Sequence, residues 1–145
     1  MKTAILWFRN DLRLYDNPAL KAALETAEEI VPVYVIDERY LQKDRWGFVR
    51  TGPYRLHFLL ESLADLKEHL REKGANLLIK RGIPETILPE LAKEYDAGAI
   101  IAAREYAHEE VRMEKALAGD HDLRLFHSSP LVHPDDVPFA VDNTP

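Results

Sequence analysis

The sequence predicts an α/β fold in which a parallel sheet has helices on both faces. Five short apolar runs alternate with four segments of helical periodicity, and this alternation is typical of consecutive β-α-β units. The crossovers between such units are right-handed, so they place helices on both sides of the sheet. The chain has 145 residues, of which 46% are hydrophobic, so it is long enough for one domain with a sizeable core.

The predicted strands are short, mostly apolar runs, as in strands that are buried on both faces. Pro32 is compatible with the second strand because a proline near the start of a strand removes little ladder hydrogen bonding. The five strands are expected at residues 3–8, 31–36, 76–80, 99–103 and 123–126.

Prolines mark the starts of the predicted helices. Asn17 is an N-cap followed by Pro18 at the first helical position, and Pro53 and Pro84 open the second and third helices. The fourth helix begins near Glu109, whose charge suits a helix N-terminus. The side chains expected to face the core are Leu56, Leu59, Leu60, Leu63, Leu66 and Leu70 of the second helix and Ile87, Leu88, Leu91 and Tyr95 of the third.

Two segments lack this periodicity. Residues 37–52 are polar and aromatic and are predicted to form a long loop. Residues 129–145 are rich in proline and are expected to be a linker that leaves an α/β domain at 1–128 toward a further domain.

The composition excludes several classes of site and partner. The chain has no cysteine, which excludes disulfides and thiolate sites and favours a cytoplasmic location. It has 19 basic and 25 acidic residues and a net charge of −6, so it is not expected to bind nucleic acid on its own. No apolar run approaches the ~18 residues of a membrane helix, and the residues before the first strand do not predict a secretory signal.

Common catalytic and nucleotide-binding motifs are absent from the sequence. The six glycines form neither GxGxxG nor GxxxxGK[ST], and there is no GxSxG elbow. None of the six histidines has the i,i+4 spacing of a zinc helix. His133, Asp135 and Asp136 surround a proline, which favours a solvated turn. We therefore predict no catalytic residue and no metal site in this chain.

The densest group of polar residues is segment 9–17, which directly follows the first strand. Open α/β sheets bind ligands at the carboxyl ends of their strands. The two arginines and two aspartates of this segment can instead satisfy one another and hold a loop. We expect that structural role for Asp16 and Asn17, whereas Arg9 and Asn10, nearest the strand end, are candidates for either role.

Several segments resemble the DNA photolyase/cryptochrome family. Residues 7–20 read WFRNDLRLYDNPAL, which is similar to the family's opening motif, although many members have histidine in place of Tyr15. TGPYR at 51–55 resembles the start of its long helix, and RGIPE at 81–85 resembles its turn after the third strand. LVHPDDVPF at 131–139 is similar to the segment that leaves this domain in the DASH-type cryptochrome branch.

The resemblance implies a Rossmann-like, three-layer N-terminal domain whose five parallel strands have the order 3-2-1-4-5. In the family, a helical domain follows and holds FAD, the DNA-binding face and the electron-transfer tryptophans. The resemblance ends before that helical domain, so we expect this chain alone to lack FAD and light-driven pyrimidine-dimer repair. Trp7 and Trp46 do not match the electron-transfer tryptophans. The implied function is that of the antenna-chromophore domain of a longer blue-light flavoprotein.

The resemblance also implies an antenna site. Many members bind methenyltetrahydrofolate or a deazaflavin against this domain, and DASH-type members contact the pterin ring with a carboxylate that corresponds to Glu105. With the implied strand order, the ends of the first and fourth strands face one crevice.

The cofactor-binding residues expected there are Phe8, Arg9, Asn10, Glu105 and Tyr106. The Glu105 carboxylate can accept paired N–H bonds from the pterin edge, and Phe8 or Tyr106 can stack on the ring. Glu105 can equally be a solvent-exposed acid before the fourth helix, or form a salt bridge with Arg9 or Arg104.

Two other functions are open at this level. One is a stand-alone nucleotide-binding or signalling domain of the universal-stress-protein type, which the near absence of late glycines disfavours. The other is an interaction module without a ligand. We also predict an exposed docking face for a helical partner domain, which when bare would favour self-association. Its members are Tyr40, Trp46, Phe48, Val137 and Phe139.

Overall fold

The computed structural model describes residues 1–131 and 133–136. The strands are β1 (Thr3–Phe8), β2 (Glu29–Asp37), β3 (Leu78–Gly82), β4 (Ala99–Ala103) and β5 (Leu123–Phe126). The helices are α1 (Pro18–Thr26), α2 (Pro53–Glu72), α3 (Pro84–Glu94) and α4 (His108–Ala118), and 3₁₀ turns lie at Glu38–Tyr40 and Pro134–Asp136. Within the described residues, no helix is long and apolar enough to cross a membrane.

The five strands form one parallel sheet in the order β3-β2-β1-β4-β5, which confirms the predicted fold class. The central strand is β1, which pairs with β2 from Thr3 opposite Glu29 and with β4 from Ala4 opposite Ala99. The chain runs from the centre to one edge and then crosses to the other side of β1. The direction of strand order therefore reverses between β1 and β4, and the carboxyl ends of these two strands form the crevice where such sheets bind ligands.

Alternate residues of β1 supply the two core layers. Leu6 and Phe8 pack with α1 and α2 on one face, whereas Ile5 and Trp7 pack with α3 and α4 on the other. All six residues of β1 are buried, as expected for the centre of a sheet covered on both faces. Burial of each large apolar side chain contributes roughly 1.5–3 kcal/mol, so packing holds the end of β1 firmly in place.

A few element details differ from the prediction. The strand β3 begins at Leu78, two residues late, and continues through Lys80 and Arg81; an edge strand tolerates these charges because its outer side is solvated. Leu60 and Tyr95, predicted to face the core, are 47% and 38% exposed. Leu60 lies at the margin of the buried leucine row, and Tyr95 is the C-cap of α3 rather than part of its inward face.

The segment between β2 and α2 is shaped by local hydrogen bonds. It contains an isolated antiparallel bridge between Lys43 and Val49. The Asp44 carboxylate accepts the backbone N–H groups of Trp46 at 2.8 Å and Phe48 at 3.0 Å. The side chains of Trp46 and Phe48 are 70% and 72% exposed, as expected for members of the predicted docking face.

The other members of that face have different positions. Tyr40 is half-buried, and the guanidinium of Arg50 lies 4.4 Å from its ring centre. Val137 and Phe139 lie outside the described residues, as does part of the predicted linker at 129–145. The docking partner, the self-association and the boundary at residue 128 stay predictions.

Candidate functional site

A buried arginine anchors the end of β1. Arg9 Nη1 donates to Glu114 Oε1 of α4 at 2.5 Å and to the carbonyl oxygen of Ala103, the last residue of β4, at 3.2 Å. The guanidinium also lies 4.5 Å from the centre of the Trp7 ring. The side chains of Arg9 and Glu114 are only 5% and 7% exposed. Arg9 therefore joins β1, β4 and α4, a structural role, beside the predicted crevice.

Asp11 and Asn17 close the loop that follows β1. Asp11 Oδ1 accepts the backbone N–H of Arg9 at 2.9 Å, and Asp11 Oδ2 accepts Asn17 Nδ2 at 3.0 Å. Asn17 Oδ1 accepts the backbone N–H of Leu20 at 3.1 Å, so Asn17 is the predicted N-cap of α1. Asp16, next to it, has a left-handed φ of 46°. Its backbone carbonyl accepts Arg13 Nε at 3.1 Å and Arg13 Nη2 at 2.9 Å. Both residues thus hold the loop, Asn17 through its side chain and Asp16 through its backbone.

Glu105 lies on the loop that directly follows β4. Its backbone N–H donates to Glu114 Oε1 at 2.9 Å. Partial burial raises the pKa of the Glu105 carboxyl, while the Asn10 side chain and the Arg9 charge act in the opposite direction. The structure therefore brings Arg9, Asn10 and Glu105 together at the carboxyl edge of β1 and β4, as the strand order predicted.

Tyr106 is directed toward the end of β5. Its hydroxyl shares a hydrogen bond with Nδ1 of His127, and the two rings are stacked with their centres 5.8 Å apart. The ring of His133 contacts the ring of His127 edge-on, with the two ring centres 4.6 Å apart. Burial, and then the neighbouring His133, lower the pKa of His127. Tyr106 is 44% exposed, so part of its ring is open to solvent.

Phe8, the other aromatic ring predicted at the crevice, is fully buried in the core layer of α1 and α2. A ring in that position supports the floor of the crevice and has no free face for stacking. Of the two aromatic candidates, Tyr106 is therefore the one that a ligand can reach.

A cavity of about 520 Å³ lies beside Asn10, on the β2 side of the crevice. Its walls are the carboxyl ends of β1 and β2, the first half of α2 and the start of α4. Its lining mixes aromatic and charged side chains, including Tyr34, Tyr40, Phe58, Arg50, Arg55 and Glu110. Phe8, Arg9 and Asn10, three of the predicted contact residues, also line it, whereas Glu105 and Tyr106 do not.

Glu110 contributes a buried oxygen to the wall of the cavity. Its Oε2 has no hydrogen-bond partner within the described residues. A buried carboxylate oxygen without a donor is costly, so this atom is suited to accept a hydrogen bond from a ligand. The sequence analysis missed Glu110 because Glu109 and Glu110 together indicate only a favourable start of a helix.

Ion pairs that differ in exposure lie near the cavity, since the Asp37 side chain is buried whereas Arg50 and Glu109 are exposed. Arg39 pairs with Asp37 at 2.8 Å and with Glu85 at 2.9 Å, and Arg50 pairs with Glu109 at 2.5 Å. The hydrogen bonds that Arg39 donates to Asp37 and then to Glu85 raise the pKa of its guanidinium, so it is charged at any pH of interest. The sequence analysis also missed these pairs, since Arg39–Glu85 and Arg50–Glu109 join residues 46 and 59 positions apart.

The tail beyond β5 contains the predicted turn. The backbone N–H of Asp135 donates to His133 Nδ1 at 3.2 Å, and the Asp135 side chain is exposed. Across residues 1–131 and 133–136, no group of three or more His, Cys, Asp or Glu residues is arranged to hold a metal ion.

Comparison with known proteins gives consistent matches over at least 94% of the chain. The family described as DNA photolyase matches residues 4–145. The cryptochrome DASH of Gloeobacter violaceus is 41% identical over 149 residues, covering 99% of this chain and 30% of that protein. The crystal structure of a Synechocystis cryptochrome has a TM-score of 0.92 at 37% identity, covering 100% of this chain and 31% of that one. A class III photolyase from Agrobacterium tumefaciens has a TM-score of 0.77 at 31% identity, over 94% of this chain and 28% of that one.

The chain spans about a third of the length of these relatives. Its strand order and sequence match theirs, which supports the predicted family and not the universal-stress-protein alternative. The chain belongs to the DNA photolyase/cryptochrome family, in which it forms the N-terminal α/β domain.

Proposed function

We propose that this chain is the antenna-chromophore domain of a longer blue-light flavoprotein. The antenna, methenyltetrahydrofolate or a deazaflavin, absorbs light and passes the excitation to FAD, which a helical domain outside this chain would hold. A blue-light photoreceptor of Arabidopsis thaliana is 41% identical to this chain over 149 residues. An archaeal photolyase from Sulfolobus tokodaii contains two FAD molecules, with the implication of a novel light-harvesting cofactor, although at 22% identity that likeness supports the fold alone.

The observation that carries the proposal is the pair of unsatisfied or partly desolvated carboxylates in the loop after β4 and in the first turn of α4. Glu105 is half-buried with a raised pKa, and Glu110 Oε2 is buried without a partner among the described residues. Both favour a ligand that presents N–H donors, such as the 2-amino-pyrimidinone edge of a pterin. The adjoining cavity of about 520 Å³ lies within the usual range of 300–1,000 Å³ for small-molecule sites.

Each residue at the crevice has a definite part in this proposal. The Glu105 carboxylate accepts N–H bonds from the chromophore, and Asn10 can donate to or accept from its polar edge. Tyr106 offers the partly exposed ring for stacking. Arg9 and Phe8 act from below the surface by fixing the end of β1. None of these groups is a catalytic residue.

Titration with each chromophore tests the proposal. The 145-residue chain is titrated with 5,10-methenyltetrahydrofolate and, separately, with a deazaflavin, and binding is followed by absorbance and fluorescence. We expect Glu105→Gln to weaken folate binding by roughly 1.5–3 kcal/mol, because it removes a charge-assisted acceptor. Glu110→Gln tests the cavity, and Glu94→Gln, at the exposed end of α3, is the matched control. Absence of saturable binding of either chromophore to the wild-type chain would count against the antenna function.

The activity of the whole protein is part of the same proposal. Light-driven repair or signalling would require the helical domain, and we propose that the present chain binds DNA weakly because of its net charge of −6. Submicromolar binding to duplex DNA at about 0.15 M salt would contradict this. We also propose a cytoplasmic location, although some relatives are named as chloroplastic or mitochondrial.

A further inference from the structure

Glu114 is an acidic residue of α4 whose side chain faces the interior of the protein. It is buried between Met113 and Leu117, which both belong to the core. Its Oε1 accepts Arg9 Nη1 at 2.5 Å and the backbone N–H of Glu105 at 2.9 Å. One carboxylate oxygen thus connects the residue after β1 with the second residue after β4.

Stability alone does not explain this arrangement. Burying a charge pair has a large desolvation cost, and replacing such a pair by apolar residues of similar volume is often neutral or stabilising. The pair instead fixes orientation, because charge-assisted hydrogen bonds have a specific geometry. The hydrogen bonds of Glu114 hold both the Arg9 guanidinium and the Glu105 backbone in place.

We infer that Glu114 is the positioning residue for Glu105 at the chromophore site, an inference that rests on the proposed function. It acts in two ways. The hydrogen bond to the Glu105 N–H fixes the backbone from which the Glu105 side chain projects. The ion pair with Arg9 occupies the arginine that would otherwise take the Glu105 carboxylate as its partner.

The electrostatic surroundings of Glu105 agree with this division. The groups acting on its carboxyl are Arg9 and Asn10, which favour the charged form, and Glu110 and Asp11, which disfavour it. Although Arg9 is close, burial dominates, and the pKa of Glu105 is raised rather than lowered. With Arg9 engaged by Glu114, the Glu105 carboxylate is left available to a ligand.

Three variants of the chain separate these two actions. Glu114→Gln keeps an oxygen that can accept the Glu105 N–H but removes the charge that holds Arg9. Glu114→Leu removes both. Because Glu114→Leu leaves Arg9 buried without a partner and can prevent folding, the double variant Arg9→Met with Glu114→Leu replaces the whole pair with apolar groups. Glu94→Gln is the control for loss of one acidic charge.

The first measurements use the ligand-free chain. Amide hydrogen exchange of the Glu105 N–H should be at least about tenfold faster in Glu114→Leu and in the double variant, and unchanged in Glu114→Gln, since one hydrogen bond is lost only in the first two. The pKa of the Glu105 carboxyl, followed by NMR, should fall in Glu114→Gln as Arg9 turns to it. In the double variant it should not fall, because Arg9 is absent. An unchanged Glu105 amide in both Leu variants would overturn the inference.

The second measurement is the Kd for 5,10-methenyltetrahydrofolate. We expect it to rise about tenfold or more in Glu114→Gln and in the double variant, without a change in the fold as followed by circular dichroism. An unchanged Kd in variants whose Glu105 has moved would also overturn the inference. If the wild-type chain binds no folate, the proposed function fails, while the amide and pKa measurements still decide whether Glu114 positions Glu105.

Discussion

Two arginine–glutamate pairs lie at the same edge of the sheet and have the same N–O distance of 2.5 Å, yet their surroundings differ. The side chains of Arg9 and Glu114 are 5% and 7% exposed, whereas those of Arg50 and Glu109 are 45% and 53% exposed. An exposed partner that loses its ion pair regains water, but a buried one is left charged in a poorly solvated site. Burial, and not contact distance, therefore decides which pair the fold depends on.

The largest effect is expected from Arg9→Ala. Removing the guanidinium leaves Glu114 charged and buried, which should lower the free energy of unfolding by about 3–5 kcal/mol. Urea denaturation followed by circular dichroism measures this change. A loss below about 1 kcal/mol would show that the buried pair has no greater weight than the exposed one.

A smaller effect is expected from Asn17→Ala, which tests the loop held by the same end of β1. The variant removes the N-cap of α1 and the donor to Asp11, so the free energy of unfolding should fall by about 1–2 kcal/mol. Thermal denaturation gives the comparison. Asn76→Ala is the control, because within the part of the chain that the structure describes the Asn76 side chain bonds only to the backbone of the next residue. Equal losses in both variants would contradict the role of the cap.

Arg50→Ala tests the exposed side of the comparison. It should lower the free energy of unfolding by less than about 1 kcal/mol, because both partners of the pair can be hydrated instead. Repeating the measurement in about 1 M salt should reduce the difference further, since screening is strong at that ionic strength. A loss as large as that of Arg9→Ala would mean that burial is not the deciding factor.

The smallest effect is expected from Glu105→Gln, and it depends on pH. Because partial burial raises the pKa of Glu105 in the folded chain, the wild type loses stability as pH rises through that pKa. At pH 7 the variant should be as stable as the wild type or slightly more so. The difference should disappear as pH falls through the ordinary glutamate pKa of 4.5, where both side chains are neutral. Urea titrations at pH 7 and pH 4 measure it, and a variant less stable at pH 7 would contradict the assignment.

The sequence predicted the fold well because its signals are local. The unbroken apolar run of β1 identifies a strand, and the prolines at the starts of three helices locate those helix starts to within a few residues. The approach of Arg9, Asn10 and Glu105 was also predicted, because strand order determines which loops meet. That order came from the resemblance to a family and not from residue patterns.

The supporting residues of the site could not be predicted in this way. Glu114 lies 105 positions from Arg9, and in the sequence it is one acid among several on a charged helix. Only the packing of α4 against β1 shows that it faces inward. The cavity depends similarly on how the loop before α2 covers the ends of β1 and β2.

The central position of β1 also has a consequence for synthesis of the protein on the ribosome. One edge of β1 can pair as soon as residues 29–34 emerge, but its other edge must wait for residues 99–102. At translation rates of about 5–20 residues per second, that interval lasts roughly 3–14 s. During this time the nascent chain carries an apolar strand with one unpaired edge, which is the kind of surface that chaperones shield from aggregation.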